Sequence, residues 1–337
     1  MQSQMMALQI LEPGKVVWRE TPIPPLAEGQ VLVKVLGVTT CPHWDLHMMA
    51  GEPMFPGTAV DYPLPIGQPG HEAMGEVAAL GPDTPGPAVG TRVVAWRDPG
   101  HARPGCYAQY VPFEADNVLA IPAHLRVEEI APLELAMCVQ VSFDQLQQLD
   151  AVRNARFAVG GLGPAGLIAV QMARSYGARE VIALDPLAER RALALQLGAT
   201  AALAPTADAL PAGRHKPDSF DTALDCTGLK DSVGFLMDRT NQAVAVFGVL
   251  REEVGFGLRH WMRGLTLLGY GSHNRAAAEQ ALRLVLAGRL RLAPLVTHQL
   301  PFTRYAEGVE LLRAKQAIKV AFLPWAAESG APLAGSV

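Results

Sequence analysis

Apolar and polar residues alternate at a period of two along the first third of the chain. The segments "QVLVKVLGVT", "GEVAAL" and "TRVVAW" each do so between Gly or Pro residues, the pattern of strands with one buried face. Pro and Gly, 27 and 32 in number, gather in this third and in the tail, so many turns are expected there. An all-β or α+β unit is predicted over roughly the first 130 residues. From Glu128 the period changes. "EEIAPLELAMCVQVSFDQLQQL" carries apolar residues at helical spacing, and "ARFAVGGLGPAGLIAVQMARSYGAREVIALD" reads as strand, glycine turn, amphipathic helix and a strand ending at Asp185.

The alternation goes on through "RRALALQLGAT" as helix and "DTALDCTG", "AVAVFGVL" and "LTLLGYGS" as strands. A long helix, "RAAAEQALRLVLAGRL", then leads to "LVTHQLPF" and the strand "IKVAFLP". Strand and helix in turn indicate a parallel sheet with helices on both faces. The fold class is α/β. The last twelve residues, "AAESGAPLAGSV", are small and polar and are expected to be a disordered tail.

At 337 residues the chain exceeds what one core usually supports, so two domains are expected. A formal charge of −4 and a pI near 6.1 give no reason to expect nucleic acid or an anionic membrane as partner. No apolar run reaches the ~20 residues that span a bilayer. Small molecules are the expected partners. Cys41, Cys106, Cys138 and Cys226 form no C-x-x-C pair, and no apolar leader precedes them; a reducing cytoplasm is expected.

"GLGPAG" supplies Gly161, Gly163 and Gly166, with Pro164 and Ala165 between them, after an apolar strand and at the start of a helix. Glycines there let the chain turn sharply and let a pyrophosphate reach the helix N-terminus. Asp185, 24 positions after Gly161, is placed to accept both ribose hydroxyls, and its charge favours NAD over NADP. Arg190 and Arg191 follow closely and keep NADP open, because an arginine here can receive a 2′-phosphate.

"TTCPHWDLHMMAGE" packs Cys41, His43, Asp45 and His47 into a short polar loop, and "GQPGHEAMGEV" carries His71 and Glu72. Taken singly, Cys41 reads as a buried small hydrophobe and His71 as a turn residue. Together, ahead of a dinucleotide-binding unit, they read as metal ligands. The sequence resembles the zinc-dependent medium-chain dehydrogenases of the alcohol dehydrogenase type, from "VLVKVLGVTTC" and "GHEAMGEV" through "GCYAQYV", "GLGPAG" with Asp185 and "DCTG" to "PLVTHQLPFTRYAEGVELLRAKQAIKVAFL".

The resemblance implies a GroES-like catalytic domain over residues 1–135, a Rossmann domain over 136–274, a return to the first domain over 275–325 and a tail over 326–337. It implies a catalytic zinc on three ligands with a fourth position open to substrate. Cys41 and His71 are the first two; the third is Glu134, with Cys138 as the alternative. "CPHWDLH" is one residue longer than the usual segment. Matched from its right-hand end, Asp45 orients the histidine ligand and His47 is the outer proton relay. The usual inner hydroxyl is missing, and His43 or Trp44 stands near its place. His43 can pass the proton directly. Glu72 is expected behind the metal.

By the same resemblance Thr227, Gly228, Phe247, Gly248 and Val249 line the cofactor, and Lys319 approaches its pyrophosphate. The four-cysteine lobe of members with a structural zinc is missing before "GCYAQYV", so no structural zinc is expected. The implied activity is oxidation of an alcohol to an aldehyde or ketone with NAD, and its reverse. Trp44, Met48, Met49 and Phe55 point to a hydrophobic or secondary alcohol. Two rivals stand beside it: a zinc-free, NADPH-dependent double-bond reductase of the same superfamily, against which Cys41 and His71 count, and a nucleotide-binding protein without turnover. A homodimer or homotetramer through "GLTLLGYG" is the family's usual assembly.

Overall fold

The computed structural model describes residues 3–97, 103–210, 212–213 and 219–326. The expected tail, except Ala326, lies outside the described residues. The chain forms two compact units, Met1–Glu134 with Leu292–Val337, and Leu135–Arg291.

The first unit is built on a sheet ordered Val296–Pro301, Lys319–Leu323, Gln30–Thr39, Glu72–Leu80, Arg92–Trp96 and Val118–Ala120, with Tyr110–Glu114 also paired to Gln30–Thr39. Its first two strands come from the end of the chain, so the chain does return to the unit it began. Register sets the site. Thr39 pairs with Glu72 on one side and with Ala321 on the other, which brings the ends of three distant segments together.

The polar stretch after Thr39 is a helix, Pro42–Ala50, rather than a loop. Pro42 at its first turn is already fixed at a helical φ, and Gly51, at φ 77°, closes it in the left-handed conformation that costs glycine nothing. Trp44, Asp45, Met48 and Met49 are its buried side chains, and it packs against a second helix, Tyr305–Arg313.

The second unit holds a six-stranded parallel sheet ordered Ala201–Leu203, Glu180–Leu184, Arg156–Gly160, Phe220–Asp225, Thr240–Val246 and Thr266–Leu268. In chain order this is 3-2-1-4-5-6, the doubly wound order whose direction reverses between the first and fourth strands. The four inner strands are buried almost throughout, as two covered faces require. The helix Arg275–Leu286 packs within this unit, which runs on to Arg291, whereas the sequence reading began the return at 275. Gln171 accounts for the difference: its side chain donates to the Arg291 carbonyl at 3.1 Å and accepts from the Arg291 amide at 2.8 Å.

Candidate active site

The Cys41 thiol, a His71 ring nitrogen and a Glu72 carboxylate oxygen lie within 4.8 Å of one another. Glu134, buried in the first turn of the helix Leu133–Gln148, brings Oε2 to 4.0 Å from His71 Nε2. Nδ1 of His71 donates to the Pro69 carbonyl at 2.9 Å, which fixes the ring and turns Nε2 toward the acids. Burial by itself would lower the His71 pKa. A hydrogen bond with Cys41 and the charges of Glu134, Cys41 and Glu72 outweigh that and raise it to about 10. These residues jointly attract a cation, and thiolate, imidazole and carboxylate are the ligand types zinc takes. Cys138 lies one turn beyond Glu134 in the same helix.

Asp45 does not orient His71, contrary to the sequence reading. The Pro69 carbonyl holds that ring, and Asp45 turns back on the backbone of Cys41, whose amide donates to Oδ2 at 2.8 Å. The extra residue explains the change. Four positions on a helix make a full turn, so Asp45 lies directly over Cys41. Oδ1 accepts from the hydroxyls of Tyr107 at 2.8 Å and Tyr305 at 2.7 Å. Burial raises the Asp45 pKa; both hydroxyls, His71 and the Cys41 amide offset only part of the rise.

His43 is exposed, and its ring stacks on His47 with centroids 5.5 Å apart. The aromatic ring that meets His71 is that of buried Trp44, edge-on at 6.2 Å. An indole donates but does not accept, so Trp44 cannot replace the missing hydroxyl as a relay. His47 is half-buried, with Nδ1 3.0 Å from Glu52 Oε2.

Lys319 also departs from expectation. It is fully buried, with Nζ 2.6 Å from both oxygens of Glu72 and bonded to the Thr40 carbonyl at 2.5 Å. Its donors are spent on Glu72 and Thr40 rather than on a pyrophosphate. Glu72 accepts a further bond from Thr39 Oγ1 at 2.6 Å.

In the second unit the expected nucleotide residues gather at the C-terminal ends of the strands flanking the switch point, where such sheets bind ligands. Gly161 has φ +83°, and a Cβ on Gly166 would meet its carbonyl oxygen at 1.8 Å. Only glycine permits that strand–helix approach. Gly163 precedes the helix Pro164–Ser175 and has nothing within 4 Å of a Cβ position. Buried Asp185 accepts from Leu162 N at 2.7 Å and from Leu187 N at 2.8 Å. Arg191 donates to the carbonyls of Asp185 and Pro186, both at 2.8 Å. Burial lowers the pKa of Arg190, and the charge of Asp185 opposes that.

Sequence reasoning missed Asp225, the organiser of the neighbouring turn. Fully buried, it accepts from Thr227 Oγ1 at 2.7 Å, Gly228 N at 2.7 Å and Ser232 Oγ at 2.8 Å. Its carbonyl receives Phe247 N and Gly248 N. The signal was there, an Asp closing the strand before "CTG".

Comparison with known proteins fits both units. The alcohol dehydrogenase GroES-like domain matches residues 27–123, and the zinc-binding dehydrogenase model matches residues 164–287. The chain belongs to the zinc-dependent medium-chain dehydrogenase family. It is an NAD(P)-dependent oxidoreductase of the alcohol dehydrogenase type, made of a GroES-like and a Rossmann unit, and acts on small molecules. Relatives in this family include the L-threonine 3-dehydrogenase of Escherichia coli K12, 26% identical over 95% of this chain and 100% of its own length. A Sinorhizobium meliloti protein assigned to the zinc-binding dehydrogenases and solved bound to NADP is 27% identical, with a TM-score of 0.81 over 96% of this chain and 100% of its own. The 2R,3R-butanediol dehydrogenase of Bacillus subtilis, at 22% identity and a TM-score of 0.80 over 95% and 99% of the two chains, shares the fold. Among the described residues no helix is long and apolar enough to cross a membrane.

Proposed function

We propose that the chain interconverts a secondary alcohol and its ketone, with one zinc held by Cys41, His71 and Glu134 and with NAD as the hydride acceptor. The observation that carries this reading is the convergence of the Cys41, His71 and Glu72 donors within 4.8 Å, with Glu134 facing His71 Nε2. Held by Cys41, His71 and Glu134, zinc would supply Lewis acidity toward an alcohol oxygen, and a bound nicotinamide would supply the hydride acceptor.

The chain's own residues do the rest. Glu72, bridged by Lys319 and Thr39, adds negative charge beside the ligands. Trp44 and Phe55, edge to face at 6.0 Å, form an apolar wall next to His71 that keeps water from the reacting carbon and favours apolar substituents. The relatives named for L-threonine act at a secondary hydroxyl; an apolar wall is a poor neighbour for an amino acid's charges. His47, paired with Glu52, is the group we assign to carry the proton to solvent.

Asp185 supports NAD, since a carboxylate repels a 2′-phosphate. The cysteine count supports a single zinc: with Cys41 taken as a ligand, three of four cysteines remain, too few for a four-thiolate site. Four scattered free thiols fit a reducing cytoplasm. A homodimer is the proposed assembly, through the edge strand Thr266–Leu268 and the exposed Leu258, Trp261 and Met262 beside it in sequence.

Zinc analysis of purified protein together with a panel of alcohols followed at the NADH absorbance tests the reading. It calls for about one zinc per chain and NADH formation with apolar secondary alcohols. Zinc-free protein that reduces activated double bonds with NADPH would replace it.

A further inference from the structure

Two tyrosines to which the sequence reading gave no role converge on one carboxylate oxygen. The hydroxyls of Tyr107 and Tyr305 donate to Asp45 Oδ1 at 2.8 and 2.7 Å, while Oδ2 accepts the Cys41 amide at 2.8 Å. All three side chains are buried, at 0%, 1% and 1% exposure for Tyr107, Tyr305 and Asp45, so no bulk water competes for these bonds. The rings cannot swing away. They meet at 5.1 Å, and each packs on Phe322, at 5.7 and 5.2 Å.

Tyr107 also holds the other ligand segment. Its amide donates to Gly67 O at 3.0 Å, and the preceding amide, of Cys106, donates to Gly70 O at 2.8 Å, next to His71. A Cβ on Gly70 would lie 2.9 Å from the Tyr107 amide nitrogen, a measure of how closely the two backbones are pressed together. Tyr305 brings in a third segment, as the first residue of the helix Tyr305–Arg313. The backbones carrying Cys41 and His71 are thus tied through one tyrosine and braced from the returning chain by another.

We propose that Tyr107 and Tyr305 are positioning residues for the zinc site, clamping Asp45 so that its free oxygen fixes the backbone of Cys41 relative to His71. The inference rests on the zinc reading above. Because both hydroxyls donate to the same oxygen, either one keeps the carboxylate aimed, and losing both releases it.

The test uses Tyr107→Phe, Tyr305→Phe and the double variant, which keep the rings and remove only the hydroxyls. Zinc affinity is measured by chelator competition, and the thiolate-to-metal band of the cobalt-substituted protein is recorded. The double variant should bind zinc about 10- to 100-fold more weakly, the range for groups that orient metal ligands, with a shifted cobalt band and a wild-type NAD dissociation constant. Each single variant should lose much less. In an Asp45→Asn background the same substitutions should have little further effect, because the introduced amide has a single acceptor oxygen and cannot serve the tyrosines and the Cys41 amide at once.

Wild-type zinc affinity and an unchanged cobalt band in the double variant would overturn the inference, as would a tyrosine effect that persists in full with Asp45→Asn. If the double variant does not fold, the two single variants in the Asp45→Asn background decide by the same criterion. Failure of the zinc reading shows separately, as wild-type protein whose zinc binding is indifferent to Cys41→Ala.

Discussion

Lys319 Nζ lies 2.6 Å from both carboxylate oxygens of Glu72, and neither side chain reaches solvent. Removing one partner of such a pair strands a buried charge, which costs about 3–5 kcal/mol. Lys319→Met should therefore lower unfolding stability by that order, and Glu72→Gln added to it should recover part of the loss. Chemical denaturation measures both. A Lys319→Met protein with wild-type stability would mean that the pair is not buried as described.

Zinc binding should strengthen as pH rises. In the metal-free protein burial lowers the His71 pKa, but Cys41, Glu134 and Glu72 raise it from 6.5 to about 10. A pKa raised on folding stabilises the metal-free protein fully below about 6.5, and that contribution fades as pH climbs toward about 10. Zinc must displace this proton from Nε2, so its affinity gains over the same window. Zinc titrations at several pH values across the window check the slope; affinity that falls with rising pH contradicts it.

Asp185→Ala should weaken NAD and narrow the discrimination against NADP, as a rise in KM for NAD and a fall for NADP. The carboxylate also holds the amides of Leu162 and Leu187, so the variant loosens the glycine turn as well. Steady-state kinetics with both nucleotides decide the matter. A wild-type enzyme that already prefers NADP, the nucleotide bound by the Sinorhizobium relative, would reverse the cofactor assignment.

Among the described residues the edge strand Thr266–Leu268 pairs only with Thr240–Val246, and its Leu267 is exposed. An unpaired apolar edge is a template for a second chain. Leu267→Lys with Trp261→Glu should halve the mass measured by sedimentation while leaving the melting profile of the nucleotide unit intact. An unchanged mass places the interface elsewhere.

The sheet of the second unit and its glycine loop were legible because their signals are local. An apolar run, Gly161, Gly163 and Gly166 in register, and an Asp at the next strand end need no knowledge of distant residues. The nearness of Cys41 and His71 was legible only from the two motifs taken together, since neither residue alone points beyond a buried thiol or a turn histidine. The helix Pro42–Ala50 was not, since its polar residues hide a buried face of Trp44, Asp45, Met48 and Met49. Motif spacing set Asp45 against His71, but one added residue completes a helical turn and returns it to Cys41. Lys319 and Tyr305 lay beyond reach for another reason. Their partners are 247 and 260 residues away, and nothing within either segment records a contact made only when the chain comes back to its first sheet.

The central claim is that Cys41 and His71 hold the metal on which turnover depends. Zinc content, alcohol-dependent NADH formation and NAD binding, measured side by side in Cys41→Ala, His71→Ala and wild-type protein, test it most directly. The account predicts that each variant loses its zinc and its turnover while binding NAD as the wild type does. Retained turnover in either variant would contradict it.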